Sequence, residues 1–185
     1  MGKIGDSLER AESALFTRPL PKTAPAQMRF LVKSERGSTR AAADRLGVSQ
    51  RTVERYLTGQ FKHPRRDLAA RLTAEVRRAW QPRVRERAQK QAAATGGIVV
   101  ETRARFGFTA APASTDDGRI RRITQHLPAA YAARLFDARQ TGASEQQLRT
   151  IVAEGLQEIY FKDRVRRAQG LEVEFTDIDY VELDF

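Results

Sequence analysis

The residues most able to carry chemistry lie in one hydroxyl-rich stretch, FTAAPASTDDGRIRRI at 108–123. Within it, Ser114 and Thr115 immediately precede Asp116 and Asp117. A hydroxyl exposed on a loop could act there as a nucleophile, because neighbouring carboxylates can accept its proton or help to position a metal-bound nucleotide. The alternative is structural, since Ser and Thr are favoured N-caps of a following helix. Spacing alone favours the cap, so the stretch by itself leaves both roles open.

Two other sets of side chains could support catalysis, and structural roles explain both better. The acidic tail at 171–185 could hold Mg²⁺, but alternate side chains of a strand point to opposite faces, so a solvated edge is favoured. The tyrosines could each cleave DNA as a nucleophile, but no metal-binding or basic support accompanies them, so packing is favoured. The carboxylates are Glu172, Glu174, Asp177, Asp179, Glu182 and Asp184, and the tyrosines are Tyr56, Tyr131, Tyr160 and Tyr180.

Composition excludes several other chemistries. The chain has 185 residues, no cysteine, and two histidines, His63 and His126. Disulfides, thiolate nucleophiles and Cys-ligated zinc are therefore excluded, and a multi-histidine metal centre is not expected. The sequence also contains no glycine-rich phosphate loop and no HExxH motif. It therefore predicts no intrinsically bound metal or cofactor.

The stretch RAAADRLGVSQRTVERYLTG at 40–59 has the spacing of two helices joined by a tight turn. Ala43 is small where such helices cross closely, and Gly47 suits a left-handed turn conformation. Ser49 stands where the second helix needs its N-cap. This pattern predicts a helix-turn-helix at about 39–58, with Leu46, Val48, Val53 and Tyr56 facing inward. A hairpin used only for packing, with solvated arginines, is the alternative.

In such a motif the start of the second helix meets the base edges of DNA. Arginine pairs well with guanine and glutamine with adenine, so Arg51, Arg55 and Gln50 are the best candidates to read bases. Surrounding cations, including Lys33 and Arg36, would contact phosphates and set register. The predicted DNA-binding residues are Arg40, Ser49, Gln50, Arg51, Thr52, Arg55, Lys62, Arg65 and Arg66.

Charge is unevenly distributed along the chain. Residues 1–97 contain 21 Lys and Arg against 9 Asp and Glu, whereas residues 98–185 contain 12 against 14. This asymmetry indicates one half that faces nucleic acid and one that faces something else. The flexible ATGG at 94–97 coincides with the change, so we predict domains at 1–95 and 96–185.

The predicted fold class is α+β, with an all-helical N-terminal half before a small domain of two or few strands and about three helices. Alternation predicts a strand near 98–108 and another in the tail, with a phase slip at Thr176 and Asp177 that indicates a bulge. Ser144 and Gln147 have the spacing of a capping box. Helices in this half are predicted at about 116–125, 128–139 and 145–168.

No apolar run approaches the roughly 20 residues that span a bilayer. The first residues, MGKIGDSLERAESALF, have the pattern of an amphipathic helix and lack the apolar core of a signal peptide. A cytoplasmic protein without a membrane partner is therefore expected.

Several motifs in order resemble one known family. IGD, RAE, FTRPLPKTAPAQMRFL, GSTRAAADRLGVSQRTVERYLTG, WQPRVR and RARFGFTAAP together resemble the terminal proteins of Streptomyces-type linear chromosomes and linear plasmids. The resemblance covers essentially the whole chain. It implies a protein that is bonded covalently to the 5′ ends of telomeric DNA and that resides with the nucleoid at those ends.

The resemblance also implies a mechanism and partners. A threonine hydroxyl in the APAST loop accepts the first deoxynucleotide and primes synthesis across the terminal gap. Thr115 matches that threonine, with Ser114 as a rival and Thr109 as a more distant candidate. The partners implied are telomeric DNA (a 3′ overhang or end duplex), a telomere-associated protein, and a DNA polymerase that supplies the catalysis with Mg²⁺ and a deoxynucleotide. A homodimer is left open.

Two other functions compete with this one. A helix-turn-helix transcription regulator, whose second half dimerises or binds a ligand, would protect promoter-like duplex instead of DNA ends. A metal-dependent nuclease or relaxase would cleave DNA without a partner and would depend on a tyrosine or a tail carboxylate.

Overall fold

The computed structural model describes residues 2–109, 120–161 and 172–185, which form an α+β structure. The described helices are α1 (Lys3–Ala14), α2 (Ala24–Ser34), α3 (Thr39–Leu46), α4 (Gln50–Leu57), α5 (Arg66–Ala79), α6 (Pro82–Gln91), α7 (Ala129–Gln140) and α8 (Glu145–Leu156). The strands are β1 (Ile98–Thr109), β2 (Ile120–Leu127) and β3 (Glu172–Asp184). Two π-helical turns, Ala92–Gly96 and Gln157–Phe161, follow α6 and α8.

The chain divides into two units. The helical unit is residues 16–82, and the strand-containing unit is residues 1–15 together with 83–185. This differs from the boundary near 95 that the sequence suggested. The physical reason is that α1 buries Ile4 and Leu8 in the core of the sheet. An amphipathic pattern shows that one face of a helix is buried, but it does not show against what.

The helical unit has its own core, built from α2 to α5. Met28 and Leu31 of α2 meet Leu46 of α3, Val53 of α4 and Leu72 of α5, each almost fully buried. Side-chain caps set where the helices begin: Thr23, Ser38 and Ser49 each accept a hydrogen bond from the third backbone N–H of the helix that follows.

The strand-containing unit is built on a three-stranded antiparallel sheet with the order β2-β1-β3. β1 and β3 are far apart in sequence and paired, as the alternating patterns predicted. Two register shifts interrupt their ladder, so that Thr176 and Asp179 of β3 are skipped. The bulge predicted near Thr176 and Asp177 is thus confirmed.

One predicted helix is wrong, because residues 120–127 form β2 and not the C-terminal part of a helix at 116–125. Ile120, Ile123 and Leu127 are spaced by three and four, which favours a helix in sequence. Ile123 and Leu127 also lie on one face of a strand, since their separation is even, and both are buried there. Pairing with β1 decides between the two readings, and Ile120 is left half exposed.

The other helices of this unit follow the sequence more closely. α7 begins at Ala129, and α8 begins with the predicted capping box of Ser144 and Gln147. The helix predicted to reach 168 ends as an α-helix at Leu156 and continues as the π-helical turn; residues 162–171 lie outside the described ranges. The described part of 96–185 therefore has three strands and two α-helices.

Helix α1 covers the free edge of β3. The Ser7 hydroxyl accepts a hydrogen bond from Leu183 N at 2.8 Å, while Lys3 and Arg10 donate to the carbonyls of Asp179 and Val181. An uncovered edge strand presents unpaired backbone groups that other chains can join, and these contacts close it. None of the helices in the described ranges has the length and apolar character needed to cross a membrane.

Candidate nucleic-acid interface

The pair formed by α3 and α4 is fixed by local geometry at its turn. Gly47 adopts φ 62° and ψ 42°, the left-handed conformation in which a residue with a Cβ is strained. The next N–H, of Val48, donates to Ala43 O at 3.0 Å and ends α3. Ser49 then starts α4 by accepting from Thr52 N at 3.3 Å. The left-handed glycine and the Ser49 cap are both as the sequence predicted.

The first turn of α4 presents two polar side chains to solvent. Gln50 donates to Thr39 Oγ1 at 3.0 Å and to Glu54 Oε1 at 2.9 Å, which holds its amide beside the start of α3. Arg51 is exposed, and its guanidinium has no partner within the described ranges. Arg40, on the first turn of α3, is exposed in the same way. The structure therefore brings together the starts of both helices, with Gln50 oriented and the two arginines available.

Other predicted site residues have intramolecular partners. The Ser49 and Thr52 hydroxyls lie 2.9 Å apart in the cap of α4. The Arg55 guanidinium stacks over the Phe61 ring at 5.3 Å, and Phe61 N donates to Arg55 O at 3.1 Å. Arg55 is thus tied to the loop that follows α4, whereas Arg51 is not.

Arg45 shows what a structural arginine looks like in this unit. It bridges Glu35 at 2.6 Å and Glu75 at 2.5 Å, and so links α3 to the ends of α2 and α5. Burial disfavours its charge, but hydrogen bonds from the guanidinium to both carboxylates outweigh that cost and raise the pKa of Arg45. The sequence alone does not show that Arg45 is held by two carboxylates and that Arg40 and Arg51 are exposed.

The excess of positive charge falls entirely in the helical unit. Residues 16–82 contain fifteen Lys and Arg against five Asp and Glu, whereas the rest of the chain contains eighteen of each. Most of these cations have no ion pair, hydrogen bond or ring contact with another described residue. Those unpartnered side chains are Arg18, Lys22, Arg29, Lys33, Arg36, Arg40, Arg51, Lys62, Arg65, Arg66 and Arg71.

Two clefts flank the loop between α4 and α5. The first, about 670 Å³, is lined by Lys62 together with Lys22 and Arg29. The second, about 550 Å³, is lined by Arg65 together with Arg71 and Thr52 of α4. The structure thus directs Lys62 and Arg65 to different clefts. The residues predicted to bind DNA did not include Lys22, Arg29 or Arg71, because nothing in the sequence shows that they lie near Lys62 or Arg65.

The candidate acceptor hydroxyls Ser114 and Thr115 lie outside the described residues. Thr109 ends β1, where its backbone pairs with Glu172 of β3. The segment 110–119 connects two adjacent antiparallel strands, β1 and β2. The helix that Ser114 or Thr115 would have capped is absent from Ile120 onward, because β2 occupies that position.

Three of the four tyrosines are buried or hydrogen-bonded within the protein. Tyr56 is buried, and burial raises the pKa of its hydroxyl. Tyr131 donates to Glu158 at 2.5 Å, and burial together with that carboxylate raises the pKa of Tyr131 to about 12. Tyr180 donates to Glu101 at 3.0 Å. Within the described residues, no three acidic or histidine side chains lie close enough together to hold a metal ion.

Comparison with known proteins identifies no relative: no family model, no curated protein and no solved structure matches the chain.

Proposed function

We propose that the protein is a DNA-terminal protein, which grips DNA through residues 16–82 and accepts the first deoxynucleotide on a hydroxyl of segment 110–119. One observation carries the DNA-binding part: the whole charge excess lies in the helical unit, mostly on exposed side chains that have no partner among the described residues. Unpaired cations gain most from a polyanion, since their binding releases counterions from its phosphates.

In this proposal α3 and α4 form a helix-turn-helix with α4 in the major groove of DNA. Arg51 and Gln50 would read base edges, because both extend from the first turn, which meets the bases in such motifs. Arg40, Arg65 and Arg66 would contact phosphates and fix the register. Arg55 would support the helix from its stack on Phe61 and would not read a base itself.

The priming part of the proposal concerns Thr115, with Ser114 and Thr109 as rivals. In the sequence, these hydroxyls lie at or after Thr109, the last residue of β1, and before Ile120, the first residue of β2. A threonine hydroxyl is a poor nucleophile at neutral pH and needs the metal ions and base of a polymerase to attack an α-phosphate. This protein would position the hydroxyl, and the polymerase would supply the catalysis.

The motifs that resemble terminal proteins support the same assignment, and they imply the partners: telomeric DNA, a telomere-associated protein and a DNA polymerase. They also imply that the protein resides with the nucleoid at DNA ends. In the reaction, the hydroxyl oxygen bonds to the α-phosphorus of a deoxynucleoside triphosphate, pyrophosphate leaves, and the hydroxyl proton passes to a base of the polymerase.

Mass spectrometry of the protein recovered from DNA ends tests this proposal. Trypsin cuts after Arg105 and Arg119, so one peptide contains Thr109, Ser114 and Thr115. We expect that peptide to carry one nucleotide monophosphate, which fragmentation should assign to Thr115.

Matched variants then test the assignment in a nucleotidylation assay with polymerase. Thr115→Val should abolish attachment and leave DNA affinity unchanged, whereas Ser114→Ala should retain both. Attachment that survives Thr115→Val but not Ser114→Ala would move the acceptor to Ser114. Recovery of the protein from DNA ends with no adduct on any peptide would overturn the priming role and leave a DNA-binding regulator.

A further inference from the structure

The first of the two clefts in the helical unit has the chemistry of an anion site. Its charged lining is Lys22, Arg29 and Lys62, all exposed and without partners in the described ranges, with His63 beside them. Among the described residues, no acidic side chain lines it. Like charges that converge without a counter-ion repel one another, so an arrangement of this kind favours a bound anion.

The polar side chains in the cleft add hydrogen-bonding capacity to this charge. Thr23 caps α2 by accepting from Ala26 N at 3.4 Å, and its hydroxyl hydrogen remains available to a ligand. Gln27 is 8 % exposed and donates to Pro21 O and to Thr73 Oγ1, which ties the start of α2 to α5. The cleft is therefore braced on two sides and is not formed by surface side chains alone.

The volume of the cleft indicates what kind of anion would fit. About 670 Å³ is within the usual range for sites that hold ligands of nucleotide size or larger, and far exceeds the needs of a single phosphate. The opening is concave, so it suits a flexible strand better than the convex surface of a duplex. Three cations around it match several phosphates of one strand.

We infer that this cleft holds the sugar–phosphate backbone of single-stranded DNA, as a second contact surface distinct from α4. This inference rests on the DNA-binding part of the proposed function and not on priming. Such a surface would let one unit hold duplex through α4 and an adjoining unpaired strand through the cleft. Base stacking plays little part, because His63 is the one aromatic ring that lines the cleft within the described ranges.

The experiment compares the full chain with a triple variant, Lys22→Gln, Arg29→Gln and Lys62→Gln, by fluorescence anisotropy with a labelled single-stranded oligonucleotide and with a duplex. We expect the variant to bind the single strand at least tenfold more weakly at 0.1 M salt. The slope of log affinity against log salt should fall by about 2, since each lost phosphate contact on a single strand contributes about 0.7.

Two controls separate this site from α4 and from a general loss of charge. Arg18→Gln removes one exposed cation that does not line the cleft and has no assigned contact with DNA, so it should keep single-strand affinity. Duplex binding reports on α4, and the triple variant should retain it. Unchanged thermal unfolding of the triple variant shows that it folds.

Three outcomes would overturn the inference: wild-type affinity of the folded triple variant for the single strand, equal losses for single strand and duplex, or an oligonucleotide that binds no tighter than a deoxynucleoside triphosphate. The last would indicate a small-anion pocket. The assay contains no polymerase, so its result does not depend on whether priming occurs.

Discussion

Arginine side chains differ in their contacts between the two units. In the helical unit, most cations are exposed and have no partner in the part of the chain that the structure describes, whereas Arg45 bridges two carboxylates. In the strand-containing unit, which has as many acids as bases, arginines are paired across elements: Arg85 and Arg139 on Glu12, Arg122 on Glu101, and Arg134 on Glu154. The net charge of a unit is therefore a weak guide to the function of its cations, and the partner of each cation indicates its role.

The largest effect should come from breaking the most buried of these pairings. The Glu12 side chain is 2 % exposed and meets Arg85 at 2.9 Å, Arg139 at 3.0 Å and the Gln89 amide at 2.7 Å. Glu12→Gln would leave two partly buried guanidinium groups without a counter-charge. We expect a loss of about 3–5 kcal/mol in the free energy of unfolding, measured by urea denaturation.

The control for that change is Glu86→Gln. Glu86 pairs with Lys90 at 2.7 Å on the surface of α6, where both side chains are largely exposed. Its urea midpoint should match that of the wild type, because water replaces an exposed pair at little cost. Equal losses in the two variants would show that burial does not distinguish these carboxylates.

The next largest effects are expected from two arginines of the helical unit, Arg51 and Arg45, which should affect different properties. Arg51→Ala should weaken binding to the preferred DNA by about 1–3 kcal/mol if Arg51 reads a guanine, with stability unchanged. Arg45→Ala should instead lower the free energy of unfolding by about 1 kcal/mol, since it removes bonds to Glu35 and Glu75. Anisotropy titration and urea denaturation on both variants give the four values. An unchanged affinity in Arg51→Ala would exclude base reading by Arg51.

The smallest expected effect concerns the Tyr131 hydroxyl of the strand-containing unit, which donates to Glu158. Tyr131 has a pKa of about 12 in the folded protein, against about 10 in an unfolded chain. The protonated hydroxyl contributes fully to the free energy of unfolding below pH 10, and this contribution is lost as the pH rises from 10 to 12. Tyr131→Phe should therefore lose less stability than the wild type between pH 9 and pH 11. Urea midpoints at pH 9, 10 and 11 measure this, and Tyr160→Phe, at a 38 % exposed tyrosine, should behave as the wild type.

Features of the fold that depend on neighbours in sequence were predictable. The caps at Ser38, Ser49 and Ser144 and the left-handed Gly47 follow from the residue types that those positions require. β2 was not predictable, because Ile123 and Leu127 satisfy a helix and a strand equally well and only pairing with β1 decides. The same limit explains α1, whose buried face gave no sign that it belongs with β3.

Some residues of the candidate site could likewise be proposed from the sequence, and others could not. Gln50, Arg51 and Arg40 could be proposed from the spacing around Gly47, because α3 and α4 are adjacent in sequence. Lys22 and Lys62 could not be grouped, since forty residues separate them and only the packing of α2 against α5 brings both to one cleft. Ser114 and Thr115 stand out in sequence for their chemistry, and residues 110–119 lie outside the described ranges.

The contact of α1 with β3 has a consequence for synthesis of the chain on the ribosome. Ser7 cannot accept its hydrogen bond from Leu183 until Leu183, 176 residues later, has been synthesised. The strand-containing unit therefore stays incomplete until then. The helical unit is continuous from 16 to 82 and needs no residue beyond that range for its core. Local contacts form faster than distant ones. The nascent chain should therefore carry a folded helical unit before the sheet exists.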